Sequence, residues 1–145
     1  MFISVLELFK IGVGPSSSHT MGPMIAAGAF MEYISRYFKQ HGADAGSSIR
    51  CVLKGSLAFT GEGHNTHRAV ALGLHGYSPA SLAGQSMDDL IEHIWSGQTI
   101  AVEGGQAIKF APDLDIIFDK TESCLLYTSP SPRDCVSNRV CRLLL

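Results

Sequence analysis

The chain has 145 residues, a formal net charge of -2, and 46% hydrophobic against 17% charged residues. This composition suits one compact domain with a buried core, and it excludes a disordered chain or a large multidomain assembly. Because no basic stripe and no apolar run of about 18 residues is present, we expect a cytoplasmic protein with neither nucleic acid nor a membrane as partner.

The first predicted element is a long amphipathic helix over residues 21–40. Its buried face would carry apolar residues that recur at three and four positions: Met24, Ala27, Met31, Ile34 and Phe38. Gly42 stands where a glycine in a left-handed conformation would end the helix. The small residues 26–29 would let another backbone approach this helix closely.

A strand is predicted next, over residues 49–60, because apolar and polar residues alternate there. Cys51 lies on its apolar face, so we interpret this cysteine as a core residue and not as a metal ligand. Lys54 lies on the opposite, polar face. A glycine turn at residues 61–63 would then lead into a short helix over residues 66–74.

The C-terminal half of the domain is predicted to contain a helix, a hairpin and a strand. Ser86 with Asp89 forms a capping pattern, which indicates a helix that ends near Gly97. Strands over residues 99–102 and 107–111 would flank a Gly104-Gly105 turn, and a further strand would cover residues 114–118. This inventory predicts an α+β fold, in which a mixed or antiparallel sheet packs with about three helices.

The composition changes abruptly after Ser123. Residues 124–145 hold three of the four cysteines, no helical period, and two Ser-Pro steps that disfavour regular structure. The run over residues 128–134 resembles a peptide translated from adaptor or vector bases at the ends of unrelated sequences. We therefore predict a domain over residues 1–123 and a foreign or disordered tail over residues 124–145, the alternative being a native flexible terminus.

Hydrogen-bonding side chains are concentrated in residues 12–20, which we call the serine segment. A helix begins with unpaired N–H groups and a partial positive charge, so polar side chains there could hold an anion such as a substrate carboxylate. The side chains in question are those of Ser16, Ser17, Ser18, His19 and Thr20. In the simpler interpretation one hydroxyl caps the helix and the others fill a loop.

A second polar loop, which we call the glycine segment, covers residues 60–67 and also leads into a predicted helix. His64 could act there as a general base or a hydrogen-bond donor near neutral pH, and Asn65 or Thr66 could cap the helix. The simpler alternative is a capped surface turn with solvated histidines. His41, His75 and His93 fall near predicted helix C-termini, and we interpret them as structural.

The polar segments also contain residues typical of zinc sites and of nucleotide-binding loops. His19, His64 and His67 could supply three zinc ligands, but the usual His-Glu-x-x-His spacing is absent and no cysteine supports the set. The glycine-rich loops also lack the P-loop and dinucleotide-binding patterns. A metallohydrolase and a nucleotide-binding protein are therefore disfavoured, and we predict no metal ligands in the chain.

Residues 9–20, followed by Gly22-Pro23-Met24, and residues 55–66 resemble two signature segments of bacterial iron-sulfur-dependent L-serine dehydratases. The resemblance extends loosely to about Ser123 and implies the mixed α/β N-terminal (beta) domain of such an enzyme. In that family the domain docks on a helical C-terminal domain, or on a separate alpha subunit. The cysteines of that partner hold a [4Fe-4S] cluster, and no pyridoxal phosphate is involved. We expect the partner to lie outside this chain.

The resemblance implies that the complete enzyme deaminates L-serine to pyruvate and ammonia. It implies catalytic roles for His19 and His64, and substrate-binding roles for Ser16, Ser17, Ser18, Thr20 and Thr66. His67 is a departure, since the family usually has Asp after the threonine. We expect the chain to be inactive alone and to form homo-oligomers through the apolar face that its partner would cover. The alternative is a non-catalytic regulatory module that binds an amino acid or another carboxylate.

Overall fold

The protein combines helices with two small sheets, as predicted for an α+β fold. The computed structural model describes residues 13–42, 46–82, 85–102, 106–121 and 139–144. The helices there are α1 (Gly22–His41), α2 (Ser56–Thr60), α3 (Thr66–Leu74), α4 (Met87–Ser96) and α5 (Pro112–Asp115). The strands are β1 (Arg50–Gly55), β2 (Thr99–Val102), β3 (Gln106–Lys109), β4 (Ile116–Phe118) and β5 (Arg139–Leu144).

Helix α1 confirms the first predicted element. The predicted apolar face is buried along its whole length, from Met24 to Phe38. Pro23 lies in the first turn, where its missing N–H group removes no helical hydrogen bond. Gly42 has φ 77°, and its N–H donates to the carbonyl of Phe38 at 2.9 Å, so the glycine ends the helix in a conformation that other residues avoid.

Helix α3 packs directly against α1 through small residues. A Cβ atom added at Gly73 would lie 2.2 Å from the carbonyl oxygen of Met24 and 2.9 Å from the Cβ of Ala27. The two backbones therefore touch, which confirms the close approach predicted for residues 26–29. The start of α3 contacts the residues just before α1, and Gly73 near the end of α3 contacts Met24 and Ala27. The two helices therefore run in the same direction along their contact.

The strands form one mixed and one antiparallel sheet. In the three-stranded sheet β1 is central, parallel to β4 and antiparallel to β5. Strands β2 and β3 form the predicted antiparallel hairpin, with Ile100 opposite Ile108. The predicted Gly104-Gly105 turn lies outside the described residues.

The predicted strand over residues 49–60 is wrong in its second half. Strand β1 ends at Gly55, whose φ of 58° and ψ of -136° turn the chain into α2. Leu57 and Ala58 are therefore both buried, whereas Phe59, which the alternation placed in the core, is 64% exposed. A short alternating run fits a strand and a helical turn equally well, and the glycine decides between them.

Lys54 also differs from its predicted position on a polar face. Its side chain is buried, and its ammonium group lies 2.9 Å from a carboxylate oxygen of Asp119, just beyond β4. Hydrogen bonds from Thr121, together with Lys54, hold the pKa of Asp119 below its usual range. The parallel pairing of β4 with β1 brings Asp119 beside Lys54, so the buried ammonium group has an oppositely charged partner.

Two predictions for the C-terminal half need correction. Ser86 precedes α4 as predicted, and the helix ends at Ser96 beside Gly97, but the Ser86 side chain makes no capping hydrogen bond. The predicted strand over residues 114–118 begins only at Ile116. The residues before it form α5, in which Pro112 occupies the first turn and the Asp115 carboxylate accepts a hydrogen bond from the N–H of Ala111 at 2.7 Å.

The C-terminal region contributes a strand, although no regular structure was predicted there. All six residues of β5 pair with β1, from Arg139 opposite Gly55 to Leu144 opposite Arg50. The pairing satisfies backbone N–H and C=O groups that the edge of β1 would otherwise leave open. Whether residues 124–145 are foreign stays a prediction. Within the described ranges, no helix combines the length and the apolar character that crossing a membrane requires.

Candidate functional site

The serine segment ends in a π-helical turn over Ser17–Met21, which continues directly into α1. Ser16 has an extended backbone, and its hydroxyl accepts a hydrogen bond from the N–H of His19 at 3.1 Å. This is the single cap that the simpler interpretation required. The polar chain continues beyond it: Ser16 and Ser18 hydroxyls lie 3.2 Å apart, and the Ser18 hydroxyl lies 3.1 Å from Nδ1 of His19.

The glycine segment places His64 just before α3. Its Nδ1 lies 2.8 Å from the carbonyl oxygen of Thr60. Because a carbonyl oxygen only accepts hydrogen bonds, Nδ1 is the protonated nitrogen of the neutral ring, and Nε2 carries the lone pair. His64 is thus held in a tautomer that can accept a proton through Nε2.

The capping role predicted for Asn65 or Thr66 is wrong. Asn65 occupies the position before α3 with φ 55°, and no side chain makes a capping hydrogen bond at this helix end. The N–H of Thr66 donates instead to the carbonyl of Gly61 at 2.8 Å. The turn is closed by backbone groups, which leaves the Thr66 hydroxyl available for a longer-range contact.

Two threonine hydroxyls join the segments. The Thr20 hydroxyl donates to the carbonyl oxygen of His64 at 2.8 Å. In the opposite direction, the Thr66 hydroxyl donates to the carbonyl oxygen of His19 at 2.6 Å. Both threonines are essentially inaccessible to solvent, with 1% and 0% of their surface exposed. Each segment therefore binds the backbone of the histidine in the other.

These contacts bring the two histidines together. The ring centroids of His19 and His64 lie 4.8 Å apart, with their planes tilted by 31°. Two segments that are more than 40 residues apart in the sequence therefore meet in the folded chain. We call the contact between residues 16–20 and residues 60–66 the histidine junction.

The predicted site residues divide into two groups by accessibility. Ser17 is exposed, and Ser16, Ser18, His19 and His64 are partly exposed, so these five reach the surface at the histidine junction. In contrast, the hydroxyls of Thr20 and Thr66 contact carbonyl oxygens in the interior. The roles implied for all seven residues stay predictions. Sequence reasoning missed the two crossing hydrogen bonds, which link residues 44 and 47 positions apart and leave no local pattern.

His67 lies away from the histidine junction, in a region that we call the aromatic pocket. Its ring centroid is 6.2 Å from that of Trp95 and 5.9 Å from that of Phe118, both edge-on. Its Nδ1 is buried and has no hydrogen-bond partner. Burial lowers the pKa of His67, and the nearby Arg68 guanidinium lowers it further.

The other described histidines lie at the ends of helices, and Cys51 lies in the core. Nδ1 of His75 contacts the carbonyl oxygen of Ala71 at 2.8 Å, and Nδ1 of His41 contacts that of Tyr37 at 3.1 Å, both at helix C-termini as predicted. His93 lies in the last turn of α4. Cys51 is fully buried in the core, which confirms its predicted location.

A metal centre needs several ligating side chains grouped around one point. In the parts of the chain that the structure describes, no group of three or more His, Cys, Asp or Glu side chains is arranged to hold a metal ion. Cys51 is the only cysteine whose side chain is described, and it is fully buried. A [4Fe-4S] cluster requires several cysteine thiolates, so these residues do not fit one.

Residues 4–130 match the protein family described as the serine dehydratase beta chain. The L-serine dehydratase of Streptomyces coelicolor is 45% identical over 123 residues, which cover 85% of this chain and 26% of that protein. The L-serine dehydratase of Haemophilus influenzae is 37% identical over 82% of this chain, and that of Helicobacter pylori 38% identical over 80%. The matched residues span about a quarter of these relatives, 26% and 24% of the latter two.

Proposed function

Because this chain belongs to the serine dehydratase beta-chain family, we propose that it forms the N-terminal domain of an L-serine dehydratase. The complete enzyme would convert L-serine to pyruvate and ammonia. Relatives named L-serine dehydratase match more than four-fifths of this chain, at up to 45% identity. Since the match spans about a quarter of each relative, the activity is proposed for a longer assembly of which this chain is a part.

One observation supports this proposal above the others: two imidazoles from separate segments lie 4.8 Å apart beside a chain of serine hydroxyls. A carboxylate needs hydrogen-bond donors, and elimination from an amino acid needs a group that moves a proton. The serine hydroxyls can donate, and the start of the 20-residue helix α1 adds a partial positive charge beside them. We propose that Ser16, Ser17 and Ser18 bind the substrate carboxylate.

The proposed reaction removes one water molecule from L-serine. The Cα proton and the β-hydroxyl group leave, which forms aminoacrylate and water. Aminoacrylate then rearranges to the imine, and addition of water to the imine releases pyruvate and ammonia. We assign removal of the Cα proton to Nε2 of His64, because hydrogen bonding to Thr60 leaves the lone pair on that nitrogen. His19 would orient the substrate or move a second proton.

We propose that the iron-sulfur cluster is held outside this chain, by cysteines of a helical C-terminal domain or an alpha subunit. When bound there, the cluster would supply a Lewis acid for the substrate hydroxyl. Three exposed apolar side chains are suited to face such a partner: Phe59 on α2, Leu114 on α5 and Ile117 on β4 are 64%, 77% and 38% exposed. Both α2 and α5 contact β4, so these side chains lie on neighbouring elements.

A chimera tests the proposed activity. Residues 1–123 would replace the matching segment of the Streptomyces coelicolor relative, and pyruvate formation from L-serine would be measured under anaerobic conditions. We expect an active chimera, and a loss of activity of about 100-fold or more in its His64→Ala variant, because a positioned general base contributes that much. His93→Ala is the matched control, since this histidine is exposed on α4 and should retain activity.

The isolated chain supplies the second half of the test. After anaerobic reconstitution with iron and sulfide it should form no pyruvate, and pyruvate formation would refute the proposed need for a partner. Calorimetry with L-serine then separates catalysis from regulation. Binding that persists unchanged in His19→Ala and His64→Ala would favour an effector pocket elsewhere in the domain.

A further inference from the structure

The histidine junction is held by an exchange of hydrogen bonds between its two segments. Thr20 follows His19 directly, yet its hydroxyl donates to the carbonyl of His64 at 2.8 Å. Thr66 lies two residues after His64, and its hydroxyl donates to the carbonyl of His19 at 2.6 Å. Each threonine thus contacts the backbone of the histidine in the opposite segment.

Burial makes this exchange persistent. Thr20 and Thr66 are 1% and 0% exposed, so water cannot replace either acceptor without opening the contact between α1 and α3. A buried hydroxyl that loses its acceptor is left without a hydrogen bond, which costs more folding free energy than an apolar group of the same shape in its place. The packing of Gly73 on Met24 and Ala27 holds the same two helices together further along.

One set of contacts orients each histidine ring, and a different set determines the distance between the two rings. The orientation of each ring comes from its own segment: Ser18 contacts Nδ1 of His19, and the carbonyl of Thr60 accepts from Nδ1 of His64. Neither contact determines how far one segment lies from the other. The crossing hydrogen bonds do, because each holds a backbone carbonyl one bond from the Cα of a histidine.

We propose that Thr20 and Thr66 are positioning residues, whose hydroxyls set the separation of His19 and His64 instead of contacting the substrate. The catalytic consequence rests on the proposed function, whereas the structural consequence does not. Removal of either hydroxyl should move the two rings apart while each keeps its local partner. A serine in either place keeps the donor and should keep the separation.

The structural test uses this chain as it is. Valine has nearly the shape of threonine without the hydroxyl, so Thr20→Val and Thr66→Val are compared with Thr20→Ser and Thr66→Ser. Thr60→Val is the matched control, because that hydroxyl donates to the carbonyl of Ser56 within α2, at 2.7 Å. The measurement is the nuclear Overhauser effect between the ring protons of His19 and His64 in histidine-labelled protein.

We expect the ring-to-ring signal in the unsubstituted chain, in both serine variants and in Thr60→Val. In Thr20→Val and Thr66→Val the signal should be lost while the rest of the spectrum is retained. A folded Thr20→Val or Thr66→Val variant with an unchanged signal would overturn the proposal. If Thr20→Val and Thr66→Val do not fold, the hydroxyl protons of the unsubstituted chain provide the test. The Thr66 hydroxyl proton should then be visible in water with a cross-peak to the N–H of Thr20, and the Thr20 hydroxyl proton with one to the N–H of Asn65. Absence of both cross-peaks would overturn the proposal.

The chimera adds a kinetic test. Displacement of a base by about 1 Å reduces turnover by about 100-fold, so Thr66→Val should lower kcat by that order and leave KM nearly unchanged, while Thr66→Ser restores kcat. A raised KM with unchanged kcat would indicate direct substrate binding and would overturn the positioning role. If the ring signal is lost but kcat and KM are both unchanged, the positioning role stands, and it is the proposed function of the histidine pair that fails.

Discussion

His64 and His67 are three residues apart, yet they lie in two regions with opposite chemistry. In the histidine junction, the ring of His64 is partly exposed, bonded through Nδ1 and 4.8 Å from His19. In the aromatic pocket, the ring of His67 stands edge-on to Trp95 and Phe118 with its Nδ1 buried and unbonded.

The difference shows that the partners of a histidine determine its chemistry more than its place in a motif does. The turn before α3 sends His64 toward the serine segment, and the first turn of the helix sends His67 toward α4 and β4. Of these two regions, the histidine junction is the one that combines an oriented lone pair with neighbouring hydroxyl donors. It is therefore the region to which we assign proton transfer.

The largest expected effect comes from separating the helices beneath the junction. Gly73→Ala would place a Cβ atom 2.2 Å from the Met24 carbonyl oxygen, a backbone group that cannot move aside alone. We expect a loss of about 2 kcal/mol in the free energy of unfolding, measured by urea denaturation, together with a weaker His19–His64 ring signal.

Gly28→Ala is the matched control for this substitution, because its Cβ atom would lie an ordinary 3.7 Å from the carbonyl oxygen of Gly73. Alanine is also the better helix former, so this variant should be at least as stable as the unsubstituted chain. Equal effects of the two substitutions would show that the close contact at Gly73 does not hold α1 and α3 together.

An intermediate loss of stability is expected when the pH is lowered, because His67 in the aromatic pocket then becomes protonated. The pKa of His67 is lowered in the folded protein from the ordinary value of 6.5, chiefly by burial. Below pH 6.5 the unfolded chain binds a proton on His67 more readily than the folded chain does. The contribution of the neutral, buried His67 ring to stability is therefore complete above pH 6.5 and is lost as the pH falls toward the folded pKa.

Urea denaturation at several pH values checks this expectation. His67→Asn has no group that titrates in this range, and its stability should depend less steeply on pH below 6.5 than that of the unsubstituted chain. Parallel pH profiles for the two proteins would contradict the burial of a neutral imidazole.

The smallest expected effect concerns the charge beside the pocket. Arg68 lowers the pKa of His67, and its guanidinium makes only a loose contact with Asp88, at 3.8 Å on the surface. Arg68→Gln should therefore raise the pKa of His67, while stability changes by less than about 1 kcal/mol. Titration of the His67 ring signals by nuclear magnetic resonance measures the shift, and a lowered pKa would contradict the assigned influence of Arg68.

Long periodic elements were predictable from the sequence, and short ones were less so. The spacing of five apolar residues predicted α1, and the glycines at 42 and 97 lie beside the ends of α1 and α4. The run over residues 49–60 was too short for its alternation to exclude a helical turn, so α2 was missed. The pairing of β5 was missed because strand pairing between distant segments depends on which sheet edge is open.

The sequence by itself determined where the polar segments lie, which residues they contain, and which face of α1 is buried, because these features follow from local spacing. It also predicted that His19 and His64 belong together, through the resemblance of both segments to one family. Only the tertiary structure decided that Thr20 and Thr66 face inward and that His67 turns away. Those outcomes depend on α1 packing against α3 with no room for a side chain at Gly73, and on contacts 44 and 47 residues apart that no local pattern encodes.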